Sequence, residues 1–112
     1  MGGLETLNTG IPNSNTFGYL LVLSSGWFMS QPGEAEKREK MVRENVEQVN
    51  KNVKLFRISM GGQEDIAWKN CQDMMKIFDK YGLKYKYSEK PGGHTWFTWR
   101  DNLYEFAPLL FR

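Results

Sequence analysis

The sequence predicts an α/β fold, a three-layer sandwich of about three parallel strands with flanking helices. Apolar strand candidates alternate with segments of helical periodicity along the chain, and this alternation is typical of strands joined by right-handed crossovers. The first strand candidate is apolar on both faces, as the strands of a parallel sheet are. No repeat and no linker interrupts the order, so we expect a single unit.

The first half of the chain predicts a short helix, a strand and a long helix. The apolar run at residues 17–24 (FGYLLVLS) lies between turn-forming residues 12–15 and 25–26, which indicates a buried strand. Residues 34–52 are highly charged, and their apolar stripe recurs at steps of four, three and four, as in an amphipathic surface helix. That stripe consists of Val42, Val46, Val49 and Val53.

The second half continues this alternation. Residues 53–59 (VKLFRIS) predict a strand, which a turn follows, and the next segment predicts a helix that Gly82 ends as a C-terminal cap. The apolar positions of that helix are Ala67, Cys71, Met74, Met75 and Phe78. Residues 83–88 predict a third, more exposed strand, and residues 96–111 predict a last helix in which Pro108 marks a kink or stop. The predicted apolar face of the last helix carries Trp99, Leu103, Phe106 and Leu110.

Composition and charge exclude several classes of protein. Aromatic residues make up 14% of the 112 residues, which is more apolar bulk than a disordered chain carries. The longest apolar run, residues 19–23, falls far short of a membrane span of about 20 residues. The single Cys71 cannot form an internal disulfide and, without clustered histidines, excludes the usual zinc sites. The charge, with 15 basic and 13 acidic residues, is too evenly mixed for a nucleic-acid partner, so no nucleic acid, membrane, metal or cofactor is expected.

Ligands of an open parallel sheet bind beyond the carboxyl ends of its strands, so residues 24–29, 60–65 and 91–96 are the candidate site segments. His94, the sole histidine, follows two glycines whose conformational freedom lets the backbone bring an imidazole to the sheet edge. There the imidazole could act as a general base. The alternative is an ordinary surface or packing histidine beside Trp96.

Asp65 lies on the same predicted edge, after the second strand. Its carboxylate could accept the Nδ1 proton of a nearby imidazole and stabilise the imidazolium formed in acyl transfer. Alternatively, Asp65 or Glu64 caps the following helix, and for Glu64 this is the preferred interpretation. A carboxylate followed by a histidine, each after its own strand, is the order found in α/β-hydrolases, which run Ser, Asp or Glu, His.

A nucleophilic serine in the expected Gly-x-Ser-x-Gly elbow is absent from the sequence. Ser24 and Ser25 follow the first strand without such glycines, and we interpret residues 25–27 as a loop that lines the site. Ser59 has half of the motif, but Arg57 stands where the sharp turn requires glycine. Ser59 is also only six positions before Asp65, and one strand end does not readily place both groups on opposite sides of one imidazole. Ser59 is therefore disfavoured as the nucleophile.

Three blocks of the sequence are recognisable: residues 92–96 (GGHTW) with the aromatic segment up to Phe111, residues 17–26, and residues 62–65 (GQED). Together they resemble the esterase family of α/β-hydrolases that includes feruloyl and acetyl-xylan esterases, enterochelin esterases and the esterase D type. The resemblance is strongest to the xylan-associated feruloyl esterases. It implies a partial α/β-hydrolase fold and carboxylic ester hydrolysis by a Ser-Asp-His mechanism, with Asp65 as the acid and His94 as the base.

The same resemblance extends to the start of the chain. The family's nucleophile elbow commonly reads Gly-x-Ser-Met-Gly-Gly, and residues 1–3 (MGG) match the positions after the serine. The resemblance thus implies that residues 1–112 are the C-terminal half of an esterase domain, that the serine is missing, and that the Met1 N–H is the oxyanion donor. Because the covalent route needs the serine, we expect no useful esterase activity from this chain alone.

The resemblance also implies partners. An ester substrate is expected, such as a feruloylated or acetylated plant polysaccharide, and family members are often soluble secreted or periplasmic proteins. Trp27 and Trp96, near the predicted sheet mouth, are candidates to line the substrate site, although core or rim packing is the preferred interpretation of such aromatic residues. The strand at residues 17–24 would be left as an unpaired apolar edge, which predicts a homo-oligomer. The alternative function is a non-catalytic α/β module that assembles with itself or a partner, or that stacks a phenolic or sugar ring on Trp27, Phe28, Trp96 and Phe97.

Overall fold

A computed structural model of the chain describes residues 2–29 and 31–110, which form four α-helices and three β-strands. In chain order these are α1 (Gly2–Gly10), β1 (Tyr19–Leu23), α2 (Glu34–Asn52), β2 (Leu55–Met60), α3 (Trp68–Tyr81), β3 (Lys86–Glu89) and α4 (Trp96–Phe106), followed by a 3-10 turn at Ala107–Leu109. The predicted alternation of strands and helices is confirmed, and the predicted long helix coincides with α2 at both ends. None of the described helices is long and apolar enough to cross a membrane.

The strands form one parallel sheet in the order β1-β2-β3. Leu23 at the end of β1 pairs with Ser59 of β2, which pairs in turn with Ser88 of β3. All three strands therefore end at the same edge, and the loops that follow them lie side by side. Within the described residues β1 and β3 are the outer strands, so the sheet is open on both sides.

Two neighbouring residues of β2 show that helices cover both faces of the sheet. The ring of Phe56 contacts the ring of Phe78 in α3, with centroids 5.8 Å apart. The next residue, Arg57, points to the opposite face and binds Glu105 of α4 at 2.9 Å. Helices α1, α2 and α3 contribute to the core on the Phe56 face, whereas α4 lies on the other face. This is the three-layer α/β arrangement that the sequence predicts.

The hydrophobic core lies between the sheet and helices α1 to α3. Phe78 is at its centre, edge-on to the rings of Trp27, Phe56 and Tyr85 at centroid distances of 5.6–5.8 Å. Burial of such side chains is the dominant favourable term in folding, at about 25 cal/mol per Å² of apolar surface. The apolar side chains with no exposed surface are Leu7, Ile11, Val22, Trp27, Val42, Ile58, Met60, Cys71, Met74 and Phe78.

Gly82 ends α3 as predicted. Its φ of 74° lies in the left-handed region, which glycine adopts without a steric penalty. The Leu83 N–H donates to the Phe78 carbonyl at 3.0 Å, which is the bonding of a Schellman cap. Because this cap takes up the residues after the helix, β3 begins at Lys86 rather than at residue 83.

The predicted apolar face of α4 is wrong in part. The residues buried on its inner side are Thr98, Asn102 and Phe106. Leu103, predicted to be buried, is 50% exposed. The sheet face beneath α4 carries Arg57 and Ser59 of β2 beside Leu21 and Leu23 of β1, so the helix covers a mixed surface and not a purely apolar one. The helix ends at Phe106, and Pro108 lies in the 3-10 turn that follows, as expected for a residue that stops a helix.

Candidate functional site

The loops at the carboxyl edge of the sheet bring Asp65 and His94 together. Asp65 closes the turn after β2, and His94 lies in the loop between β3 and α4. His94 Nδ1 is 2.9 Å from Asp65 Oδ1, so the two residues predicted as base and acid are hydrogen-bonded. A carboxylate only accepts, so in the neutral imidazole the proton sits on Nδ1 and the lone pair is on Nε2.

The Asp65 carboxylate is 3% exposed and well supplied with donors. The Ala67 N–H donates to Oδ1 at 2.9 Å and the Gly61 N–H to Oδ2 at 3.2 Å. Burial alone would raise the pKa of Asp65, but the nearby Ser24 hydroxyl and the hydrogen bonds from Ala67, His94 and Gly61 outweigh it and lower that pKa below its ordinary value. Asp65 is therefore a carboxylate at neutral pH, and it caps the turn before α3 and orients the imidazole at once.

The His94 ring is held on a second side by Trp99. The two rings meet edge to face, with centroids 5.0 Å apart and an interplanar angle of 87°. The imidazole side chain is 35% exposed. Among the described residues Asp65 is its hydrogen-bond partner, through Nδ1, and none bonds to Nε2. Nε2 is thus the nitrogen available to a nucleophile or a substrate.

The histidine loop and the turn that holds Asp65 are joined through their backbones. The Gly93 N–H donates to the Gly61 carbonyl at 2.8 Å, and the Gly92 N–H donates to Glu64 Oε1 at 2.8 Å. A Cβ at Gly61 would overlap the Gly93 carbonyl, so this close approach requires glycine there. Glu64 was expected only to cap a helix. Its contact with the histidine loop joins segments that are far apart in the chain, and no local sequence signal marks it.

Two cavities border His94, Ser24 and Ser25. The smaller, of about 240 Å³, is lined by Leu4, Ser24, Ser25, Gly26, Phe28, Ile66, Ala67, Asn70 and His94. The other, of about 300 Å³, is lined by Gly2, Leu23, Ser24, Ser25, His94, Trp96 and Trp99. The first turn of α1 reaches both, and a Cβ at Gly3 would overlap Ser25, so glycine lets α1 approach this edge closely. The site thus combines an imidazole with mainly apolar walls.

Ser24 has a backbone conformation that is rare for a residue other than glycine. Its φ is 48°, in the left-handed region, and its N–H donates to the Ser59 carbonyl at 2.8 Å. The side chain is 2% exposed, and Oγ makes no well-formed hydrogen bond among the described residues. Strained backbone of this kind clusters at functional sites. From the sequence, Ser24 is only the first residue of the candidate segment 24–29, because no sequence pattern marks a left-handed serine.

The other predicted site residues have different outcomes. Trp27 borders neither His94 cavity: it is fully buried in the core, edge-on to Phe78, and its Nε1 donates to Asn8 at 3.2 Å. Its aromatic bulk fills the space beside α3, which is a packing role. Trp96 is 67% exposed and borders the larger His94 cavity. Met1, expected as the oxyanion donor, lies outside the described residues.

Ser59 lies inside β2, fully buried, and is not among the residues that line either His94 cavity. This position agrees with its rejection as a nucleophile. In the part of the chain that the structure describes, no group of three or more His, Cys, Asp or Glu side chains could hold a metal ion.

A scan against models of known protein families finds no match. Among solved structures, a protein described as a ferulic acid esterase is similar to this chain with a TM-score of 0.73 and 20% sequence identity. The match covers 97% of this chain and 47% of the esterase, so the chain spans about half the length of that protein. At this identity the likeness shows the fold: residues 2–29 and 31–110 have the fold of part of an esterase.

Proposed function

We propose that this chain carries the acid and the base of a serine-type carboxylic ester hydrolase, and that the serine comes from polypeptide outside residues 1–112. The observation that carries the proposal is the hydrogen bond between His94 Nδ1 and the buried Asp65 carboxylate at the carboxyl edge of a parallel sheet. It leaves Nε2 free to take a proton at the edge of two cavities. The likeness in fold to part of a ferulic acid esterase supports the same reaction class.

In the proposed mechanism His94 Nε2 accepts the hydroxyl proton as the serine oxygen attacks the ester carbonyl carbon. The Nδ1 proton stays in its bond to Asp65, whose charge stabilises the imidazolium. The proton on Nε2 then passes to the leaving alkoxide, and a water molecule repeats the sequence on the acyl-serine, which releases the acid and restores the hydroxyl. Asp65 suits this role because it is ionised at neutral pH and held by two backbone N–H groups.

The first turn of α1 is the proposed source of oxyanion stabilisation. Gly2 borders the same cavity as His94, and the unpaired N–H groups at a helix N-terminus stabilise negative charge. The proposed oxyanion donor is the Met1 N–H, as the family resemblance implies. Loss of one such donor costs about 10²- to 10³-fold in turnover, so the position of this turn against the serine matters for the rate.

The proposed substrate is an ester of an aromatic acid, such as a ferulate ester on a plant polysaccharide. The cavities beside His94 offer Phe28 and Ile66 on one side and Trp96 and Trp99 on the other. A phenolic ring can stack on such side chains, and the ester bond would then lie next to the imidazole. The similarity in fold to a ferulic acid esterase favours this class of acid over a short aliphatic one.

The test is to supply the serine. A protein in which residues 1–112 follow an esterase segment ending in Gly-x-Ser should hydrolyse methyl ferulate and p-nitrophenyl acetate, and the chain alone should not. His94→Ala should abolish the activity of the extended protein. Ser59→Ala is the matched control and should leave it unchanged, since Ser59 is buried away from the cavities. A folded extended protein that hydrolyses neither ester contradicts the proposal.

A second proposal is that β1 mediates assembly of two copies of the chain. β1 is an outer strand of the described sheet, and its residues Leu20 to Leu23 are all aliphatic. A groove of about 420 Å³ runs beside it, between the strand and α1. Unpaired apolar edges of this kind pair with another strand. Sedimentation at tens of micromolar should show a dimer, and a monomer at that concentration contradicts this arrangement.

The non-catalytic alternative is supported by the exposed rings around the site. Phe28, Trp96 and Phe97 are 69%, 67% and 66% exposed, which is unusual for side chains of this size. They could stack a phenolic or sugar ring without any reaction. Titration of the chain with ferulate or a xylo-oligosaccharide, followed by tryptophan fluorescence, should show saturable binding. Such binding by an extended protein that stays inert would favour this alternative over the hydrolase.

A further inference from the structure

Glu64 connects the two loops that hold Asp65 and His94, and the catalytic proposal gives it no role. It directly precedes Asp65, and its Oε1 accepts the Gly92 N–H at 2.8 Å, two residues before His94. The two bonded residues are 28 positions apart in the chain. One side chain thus joins the turn of the acid to the loop of the base.

The glycines around this contact fit the Glu64 side chain closely. Gly92 and Gly93 have φ values of 129° and 68°, which L side chains rarely adopt. A Cβ at Gly93 would lie 3.2 Å from Glu64 Cγ, and a Cβ at Gly62 would lie 3.3 Å from Glu64 Oε2. The carboxylate arm therefore lies between two stretches of backbone that have no side chains. Glycine on both sides leaves the loop free to move unless something holds it.

Other hydrogen bonds also hold the histidine loop, among them those from Thr95 Oγ1 to the Gly92 carbonyl at 3.0 Å and from the Lys90 N–H to the Met60 carbonyl at 2.9 Å. The Gly93 N–H donates to the Gly61 carbonyl, and the Gly61 N–H donates to Asp65 Oδ2. Glu64 adds a further hydrogen bond to this loop from an exposed side chain. The Gly92 N–H is also the main cause that lowers the pKa of Glu64, so the group is a carboxylate, the stronger acceptor, at neutral pH.

We propose that Glu64 is a positioning residue: by accepting the Gly92 N–H, it holds the histidine loop against the Asp65 turn and keeps His94 Nδ1 within bonding distance of Asp65. The inference deepens the proposed function and rests on it, because it concerns the orientation of the proposed base. Glu64 touches no substrate. It acts through the tautomer and direction of the imidazole.

The test uses the chain as it is, because His94 is its sole histidine and gives a single imidazole signal. In ¹⁵N-labelled chain, the ring nitrogen shifts report which nitrogen carries the proton, and exchange with water reports the Gly92 N–H. Glu64→Ala should speed Gly92 exchange roughly ten-fold, the effect of losing one hydrogen bond. It should also move the imidazole from the Nδ1–H tautomer toward a mixture. Glu64→Gln keeps an oxygen acceptor and should restore both signals.

Glu47→Ala is the matched control, since Glu47 lies on an exposed part of α2 and its side chain makes no hydrogen bond or ion pair with the described residues. Should Glu64→Ala fail to fold, Glu64→Asp, with a shorter arm, should give the same two changes. A folded variant with unchanged Gly92 exchange and imidazole shifts, or a Gln variant that behaves like Ala, overturns the proposal. None of these readouts needs the serine or a substrate. An extended protein without activity would therefore contradict the proposed hydrolase function, but it would not change the result of this test on Glu64.

Discussion

The two faces of the sheet are packed by different chemistry. On one face, α1, α2 and α3 close over aliphatic side chains and rings, with Phe78 at the centre. On the other face, α4 covers a layer in which polar atoms are buried without a hydrogen-bond partner among the described residues. Five of the eight such atoms in the described residues lie there, namely Arg57 Nε, Ser59 Oγ, Trp99 Nε1 and both amide atoms of Asn102, whereas Ser14 Oγ, Ser24 Oγ and Arg38 Nε lie elsewhere.

The difference in packing suggests that the two faces of the sheet contribute differently to stability and to function. Each apolar group that is buried stabilises the folded state, whereas a buried polar atom without a hydrogen-bond partner destabilises it by about 1–3 kcal/mol. The α4 face is also the one on which Trp99 supports the His94 ring. We therefore infer that the face packed by α1 to α3 stabilises the fold and that the α4 face positions the imidazole at some loss of stability.

The largest effect is expected on the apolar face. Phe78→Ala removes a side chain with no exposed surface that contacts three other rings, and it should lower the free energy of unfolding by about 3–5 kcal/mol. Chemical denaturation followed by tryptophan fluorescence measures this change. If the variant does not fold, Ile58→Val, at another fully buried position, should cost about 0.5–1.5 kcal/mol. A smaller loss for Phe78→Ala than for Ile58→Val would contradict the core described here.

Asp65 sharpens the comparison, because it is a buried polar group whose hydrogen bonds are all made. Asp65→Asn should cost about 2 kcal/mol at pH 7, since it weakens bonds to a charged acceptor from Gly61, Ala67 and His94. Urea unfolding at pH 7 measures the loss. A loss of stability that cannot be distinguished from zero would mean that the hydrogen bonds of Asp65 contribute no more to stability than the unpartnered polar atoms of the α4 face.

The pH dependence of stability gives the same residue a second test. Hydrogen bonds lower the pKa of Asp65 in the folded chain below its ordinary value of 3.8. The ionised carboxylate therefore stabilises the fold at pH values above 3.8, and this contribution is lost as the pH falls through the lower folded pKa. The difference in unfolding free energy between the wild type and Asp65→Asn should shrink from pH 5 toward pH 2, about the range in which a lowered Asp pKa acts. A constant difference would mean that the pKa is not lowered.

Much of the fold follows from local pattern, and the parts that do not have a physical cause. The valine stripe of α2 and the Gly82 cap of α3 depend on residues within one or two turns, so the sequence predicts them well. The inner face of α4 depends on the polar sheet residues beneath it. Apolar residues alone therefore predicted the wrong side for Leu103.

The candidate site divides in the same way. The order of Asp65 and His94 after parallel strands predicts that they lie at one edge, and the structure brings them to 2.9 Å. Whether an aromatic side chain near that edge is buried in the core or exposed depends on its tertiary contacts, which the local sequence does not show. Trp27 enters the core beside Phe78, whereas Trp96 borders the larger cavity at His94. The left-handed Ser24 and the Glu64 contact arise from tertiary packing and have no local signal.

At Asn102, on the α4 face, we expect an apolar substitution to stabilise the fold, unlike the substitutions above. Its side chain has no exposed surface, and neither amide atom has a partner among the described residues. Asn102→Leu replaces the amide with an apolar group of the same branched shape and should raise the free energy of unfolding by about 1 kcal/mol, since it removes an unsatisfied polar group. Thermal unfolding measures the gain, and Asn102→Asp, which buries a charge, should destabilise. A loss of stability with Leu would show that the amide is hydrogen-bonded and that the two faces differ less than their packing indicates.

The smallest effect is expected at Leu103, where the corrected face of α4 can be tested directly. Leu103 is half exposed, so Leu103→Ala should change the free energy of unfolding by no more than about 0.5 kcal/mol. Phe106 lies on the same helix and is 5% exposed, so Phe106→Ala should cost at least about 2 kcal/mol. Both variants remove apolar bulk from one helix, and the main difference between the two positions is their burial. Equal losses, measured by urea unfolding, would restore the apolar stripe as the buried side of α4 and remove the contrast between the faces.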